Sequence, residues 1–437
     1  MSTALSERPA GTPPTEGGAA LRRVLAGNGV VTALAVLLSL AISAVLIALT
    51  DEDVQTASGY LFARPGDALS AAWTAVTDAY AALFRGAVFN YRADGFADMI
   101  RPFTETLTMA TPLIIVSLGV AVAFRAGLFN IGAQGQFIFG AMFATWFGVN
   151  AGLPFGLHLL LVLVMGVLGG VLWGGLVGVL KAWTGAHEVI LTIMLNYVAA
   201  NLLAYLLTTP ILRGSATINP VSDDLLDTAM FPLLLGDGFR LHWGFVLALA
   251  VTALTWWVME RSTLGFRLRA VGANPAAART AGMSVKGAYV SAMALSGGLA
   301  GLAGMTHVSG TENALAGSVA GSFGFDAITV ALLGRSNPVG VLFAGLLFGA
   351  LRAGGVTMQS ETGVPIDVVL VVQSMIVLFI AAPPLVRAIF RLPAPGAVRA
   401  RRTADPVTRP AVAGDAPAPA AEAALTSETP TEKGQAR

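Results

Sequence analysis

Apolar residues in this chain come in long blocks rather than in alternation. Runs near 30–49, 106–124, 134–149, 157–180, 189–209, 242–259, 288–305 and 365–382 approach or exceed the ~20 residues with which an α-helix crosses about 30 Å of hydrocarbon. A closer pair, about 322–334 and 338–352, breaks at Gly334-Arg335-Ser336-Asn337-Pro338. With both members counted, the pattern predicts an all-α fold, a polytopic membrane bundle of about ten transmembrane helices. The first run has no small-residue cleavage site ahead of Asp51-Glu52-Asp53, so it reads as a retained anchor rather than a signal peptide.

Composition agrees with the blocks. Of 437 residues, 55% are hydrophobic and 12% charged, against about 25% charged in a soluble domain, and the mean hydropathy is +0.73. A net charge of +1 argues against a nucleic-acid partner. Without cysteine there is no thiolate chemistry, and four scattered histidines make a poor zinc site. The chain has no Gly-Lys step for a phosphate loop, no G-x-S-x-G element and no His-Glu-x-x-His pair. No catalytic, cofactor or metal site is therefore expected. Residues 1–28 and 385–437, rich in Ala, Pro, Thr and Glu without apolar period, are expected to be disordered tails around a membrane domain at 29–384.

Orientation follows from Lys and Arg, which concentrate in cytoplasmic loops. Ten crossings from a cytoplasmic N-terminus place 19 of the 26 inside and 7 outside. Both termini and the basic loop 260–287 are then cytoplasmic. Segment 51–105, with eight acidic residues and a partly helical pattern, is extracytoplasmic, and so is 210–240.

Polar residues within the blocks are few. Asn130, Gln134 and Gln136 stand in GLFNIGAQGQFIFGA (Gly127 to Ala141), where a membrane-embedded helix would start. Such amides suit a polar, uncharged solute on a translocation pathway, and they equally suit the exposed backbone of a broken helix. Asn196, deeper in its own span, is open to the same two readings, as a pathway group or as interhelical glue. Glu188 and Asp326, the main charges within spans, each fit near an end. Few midplane carboxylates argue against a proton- or sodium-driven carrier. Gly and Ala recur at three- and four-residue spacing, as in Gly166, Gly169, Gly170, Gly174, Gly175 and Gly178 of one span and Gly297, Gly298, Gly301 and Gly304 of another, which predicts closely approaching helices.

Loop 260–287 carries the sharpest local pattern. Asn274 suits an N-cap, Pro275 the first helical position and Gly282 a left-handed stop, with Ala276, Ala277, Ala278, Arg279, Thr280 and Ala281 between. A helix of under two turns is unstable alone in water, so it is either a connecting turn or a knob that docks into another protein.

Four blocks, GLFNIGAQGQFIFGA, HEVILTIMLNYVA, LRAVGANPAAARTAG and GFDAITVALLGRSNPVGVLFAGLLFGAL, resemble the permease subunits of bacterial ABC importers in the branched-chain amino acid, ribose and nucleoside superfamily. The closest resemblance is to the nucleoside or simple-sugar group served by Bmp-type lipoproteins, and it extends over about 106–382. It implies a type II importer permease in the plasma membrane that carries nucleosides, or otherwise simple sugars or branched-chain amino acids. It also implies a second homologous permease subunit, ABC ATPase subunits that use the ATP, and an extracytoplasmic substrate-binding lipoprotein. In such an importer the loop after the sixth span contacts the ATPase, so Asn274, Pro275, Ala277, Ala278, Arg279, Ala281 and Gly282 would form the coupling element. A self-sufficient secondary carrier built on the broken pair at 334–338 is the alternative of a different class.

Overall fold

The computed structural model describes residues 28–214 and 219–391. Among these, fifteen α-helices follow one another: α1 (Asn28–Thr50), α2 (Glu52–Ser58), α3 (Pro65–Ala87), α4 (Phe96–Arg125), α5 (Ala133–Asn150), α6 (Leu157–Thr184), α7 (Glu188–Leu206), α8 (Gly244–Arg261), α9 (Thr263–Ala273), α10 (Pro275–Thr280), α11 (Val285–His307), α12 (Phe323–Leu333), α13 (Pro338–Thr362), α14 (Ile366–Ala381) and α15 (Pro383–Ile389). Two isolated bridges, Val221 with Ala316 and Leu233 with His242, are the β contacts found there. Seven helices (α1, α4, α6, α7, α8, α11 and α13) are by themselves long and apolar enough to cross a membrane. The protein is a multi-pass helical membrane bundle.

Burial separates axis from periphery. In α4 the most apolar stretch is 83% buried, against 22% in α1 and α7, so α4 is ringed by helices while the outer ones turn flanks to lipid. Beside it, α6 and α11 run antiparallel along a seam of glycines. A methyl on Gly170 would collide with the Gly297 carbonyl, and one on Gly297 with the Gly170 carbonyl. Only backbone fits there, and dispersion between touching backbones holds helices together where lipid supplies no hydrophobic drive.

The ends of the bundle meet. Ala35 near the start of α1 packs with Phe379 of α14 and Val386 of α15, so the first and last helices open on the same face. That face also carries α9, α10 and the turn between α12 and α13. Residues 385–391 are thus seen as the end of α15 and a turn, within the stretch expected to be a tail. Residues 1–27 and 392–437 lie outside the described residues.

Three expectations are corrected here. The run 322–334 is not a full span: α12 has 11 residues, about 16 Å of helix, half the hydrocarbon depth. It is preceded by a non-helical stretch, 313–322, that re-enters the bundle. Its partner does not stop at 352, since α13 continues to Thr362. Within 51–105, the 23-residue α3 packs through Ala79 and Ala82 against Leu351 and Met358 of α13 and Ile47 of α1, which makes it an integral layer of the bundle.

Candidate translocation pathway and coupling surface

Two breaks in helical structure meet inside the membrane. The first is 126–132, between α4 and α5. Asn130 is sealed there, donating to Gln136 Oε1 at 2.9 Å and to Ser296 Oγ at 2.8 Å, and accepting from the Gly132 amide at 2.9 Å. Ser296 is the midpoint of α11, which sets the depth of this junction. A helix start leaves amide hydrogens without intrahelical partners, and hydrocarbon cannot supply them. Asn196 does so from α7: its Oδ1 accepts from the Gly135 amide at 2.8 Å, and its Nδ2 donates to the Ile131 carbonyl at 2.9 Å. Gln134 spans to the second break, donating to the Gly321 carbonyl at 2.7 Å and accepting from the Gly324 amide at 2.7 Å. Asn130, Gln134, Gln136 and Asn196 are thus brought into one network, and their amides are engaged in backbone and side-chain hydrogen bonds. Of the two readings open from sequence, the geometry supplies the backbone-satisfying one directly. Gln134 alone of the four is more than marginally exposed.

The second break, 313–322, ends in the first turn of α12. Here the sequence reading missed a residue. Arg352, near the middle of α13, forms an ion pair with Asp326 and also donates to Ser322 Oγ, while its guanidinium lies 4.3 Å from the centroid of the Phe323 ring. Phe323 is stacked on Phe137 at 5.5 Å and meets His307 edge-on at 4.8 Å. Asp326 is therefore near a helix end but not near a membrane surface, because α12 begins at mid-depth. The signal was available: an arginine about 21 Å along an apolar helix needs a buried anion. In the non-helical segment that leads to this pair, Gly317, Ser318 and Gly321 are exposed. Non-helical backbone and charges at membrane depth cannot face lipid. This side of the bundle must face water or protein.

At the face holding α9 and α10, loop 260–287 folds as its caps dictate. Asn274 Oδ1 accepts from the amides of Ala276 at 3.0 Å and Ala277 at 3.1 Å, Pro275 opens α10, and Gly282 follows it at φ +81°. Ala277, Arg279 and Ala281 point outward. Ala278 does not: it is buried among Val122, Leu268, Val271 and Val285, so its small side is required by this chain's own packing. The three helices that carry Val271, Ala278 and Val285 are separate, and each turns its residue into the same buried cluster. Sequence reading also missed α9, capped by Ser262 Oγ accepting from the Gly265 amide at 3.1 Å. Beside α10 lies a cleft of about 600 Å³ between Leu264, Arg267, Met283 and Ser291. Glu260 anchors the loop, pairing with Arg269 at 2.6 Å and with Arg125. Arg125 Nε donates in turn to the Ser336 carbonyl at 2.7 Å, which ties the loop to the turn after α12.

A family described as branched-chain amino acid transport system, permease component, matches residues 103–381. The chain belongs to that family. The matched stretch runs from α4 through α14 and leaves α1 to α3 outside. The permease is 38% identical over 286 residues to the guanosine ABC transporter permease protein NupP of Bacillus subtilis, covering 65% of this chain and 82% of that one. It is 36% identical to the glucose ABC transporter permease protein TsgB13 of Haloferax volcanii, covering 63% and 75%, and 34% identical to the nucleoside ABC transporter permease protein NupB of Lactococcus lactis subsp. cremoris, covering 64% and 79%. No solved structure matches the chain. These relatives are transport subunits, and the arrangement here suits transport: a re-entrant half-helix and a broken helix start, cross-linked by amides, beside a short capped helix with one exposed side.

Proposed function

We propose that this permease is the membrane subunit of an ATP-driven ABC importer for nucleosides. The observation that carries the reading is the non-helical segment 313–322, where Gly317, Ser318 and Gly321 are exposed at membrane depth; it supports an aqueous lumen, which a second permease subunit would help to enclose. ATPase subunits would dock at α10 and the adjoining cleft, and an extracytoplasmic lipoprotein would deliver the solute. With Arg352 inside the membrane, 19 Lys and Arg against 6 favour a cytoplasmic α9–α10 face and cytoplasmic termini. Nucleosides are favoured because two of the named relatives carry that description. The glucose relative supports simple sugars as the second reading, and the two solute classes share a hydroxylated sugar ring.

The test is uptake of labelled uridine, guanosine and glucose into proteoliposomes holding the permease with its ATPase, sister permease and lipoprotein. Nucleoside uptake that requires ATP and is indifferent to a proton gradient is expected. Uptake that collapses with the gradient while ATP is held constant would replace the importer reading with a secondary carrier. Because the chain has no cysteine, a single one placed at Ala277 reports orientation. Labelling there by an impermeant reagent in intact cells would invert the topology.

A further inference from the structure

We propose that the Asp326–Arg352 pair is the point at which this permease reads the hydroxyl groups of its solute, so that selection continues inside the membrane after the lipoprotein has let go. The inference rests on the importer reading above and deepens it. An ion pair in a membrane core is costly to keep, and most such pairs are sealed or line a polar route. This one is not sealed: the Arg352 and Asp326 side chains remain 20% and 16% accessible, on the side where Gly317, Ser318 and Gly321 are exposed.

Its hydrogen-bond capacity is also half used. Arg352 donates through Nη2 alone, to Ser322 Oγ and Asp326 Oδ2, and the Ser322 hydroxyl donates to the same Oδ2 at 3.0 Å. Among the described residues, Nε and Nη1 of Arg352 and Oδ1 of Asp326 engage no partner, and none of the three is a sealed atom. What remains is a guanidinium edge that donates next to a carboxylate oxygen that accepts. Two adjacent hydroxyls of a sugar ring match that set, one accepting from Arg352 and the other donating to Asp326. The pair is neutral as a unit, so it offers no net attraction to a phosphorylated or cationic analogue. Phe323 beneath the guanidinium and Gln134 on the Gly321–Gly324 backbone hold the two charges in place.

The experiment compares a ribonucleoside with its 2′,3′-dideoxy counterpart in the complete reconstituted importer, in wild type and in Asp326→Asn and Arg352→Gln. The preference of the lipoprotein is common to all and cancels in the ratio of variant to wild type. Each variant is expected to shrink the preference for the hydroxylated solute by about tenfold or more, the worth of a hydrogen bond to a charged group, and Asp326→Glu to restore part of it. A preference unchanged in both variants, or uptake of both solutes falling in equal proportion, would overturn the proposal and leave the pair a structural clasp. Should the variants fail to accumulate, Ser318→Cys in the otherwise native chain gives the answer. A ribonucleoside should slow its labelling by a small thiol reagent and the dideoxy analogue should not, and equal or absent protection overturns the proposal. Failure of the wild-type importer to carry any hydroxylated solute would instead refute the function on which it rests.

Discussion

Replacing Asn196 by Leu separates scaffold from pathway at the broken start of α5. Leu has the same branched arrangement of four side-chain heavy atoms, though it is bulkier, and two backbone groups lose their partner: the Gly135 amide, held at 2.8 Å, and the Ile131 carbonyl, held at 2.9 Å. Asn196 itself is buried, and a methyl on Gly135 would come within 3.2 Å of Ala199, so water has little room to replace the amide. Leaving a buried backbone group unpaired costs about 1–3 kcal/mol. Two such losses amount to roughly 2–6 kcal/mol, a large part of what a folded protein has to spare. Asn196→Asp keeps the acceptor for Gly135 and, with its carboxyl protonated as burial favours, still offers a hydroxyl to Ile131, so its loss should fall between. The assay is the thermal midpoint of the purified permease in detergent, followed through a fluorescent fusion, alongside uptake in cells. The expected order is wild type, then Asn196→Asp, then Asn196→Leu, with uptake falling in step with folded protein. A Leu variant that keeps the wild-type midpoint and abundance yet loses uptake would refute this reasoning and return Asn196 to the pathway.

Three further outcomes follow from the geometry. Ala278→Trp should over-pack the cluster with Val122, Leu268 and Val285 and cost about 1–3 kcal/mol in thermal stability of the isolated permease, whereas Ala277→Trp, on the outward side, should leave stability unchanged and reduce co-purification of the ATPase. Gly170→Ala should lower the melting midpoint by forcing α6 from the Gly297 carbonyl, while Gly175→Ala, with open space around it, should not. His242 lies between spans with its ring held neutral by burial and then by nearby Arg240, its pKa lowered to about 4. The unfolded chain takes up that proton near pH 6.5. Stability is therefore complete above about pH 6.5 and falls as pH drops toward 4, by up to about 3 kcal/mol, and melting curves across that range should be flatter in His242→Asn.

Much of this was legible in the chain because membrane spans and caps are local signals. The apolar runs located the membrane helices, and Asn274-Pro275 with Gly282 located α10, since a cap and a left-handed stop act within one turn. What escaped was set by partners distant in sequence. Helix α9 is mixed in composition and is held by Ser262 and by Leu268 and Val271 in the core beneath it, contacts with no periodic signature over 11 residues. The inward turn of Ala278 is set by packing with Val271 and Val285, which stand on helices not continuous with it. Arg352 was counted with the external charges because the span was ended at 352. Once α13 runs to Thr362, the same residue lies in the membrane and demands Asp326. The four amides stand out in the sequence, but the groups they meet, Gly135, Ile131, Gly321 and Gly324, are brought to them only by the fold.

The two halves of the site are closer than the sequence implies. Gly272 of α9 lies against Gly127, so near that a methyl on Gly127 would sit 3.0 Å from its α-carbon, and seven residues on from Gly127 stands Gln134. Arg125 links Glu260 to Ser336, at the other end of α12 from Asp326. A displacement of α9 and α10 thus meets both broken segments at once, through backbone contact at Gly127 and through the ion pair at Arg125. Neither contact has slack to absorb it: glycine against glycine leaves no side chain to yield, and a guanidinium bound to both a carboxylate and a carbonyl has two of its directions fixed. A rigid half-helix, 11 residues long and free of lipid-anchored ends, is an element that such a push can tilt as a unit. On the importer reading proposed above, α12 at mid-depth, the polar network at its start and α10 would act as one lever, whose inner end carries the only ion pair among the described residues that joins α12 to α13.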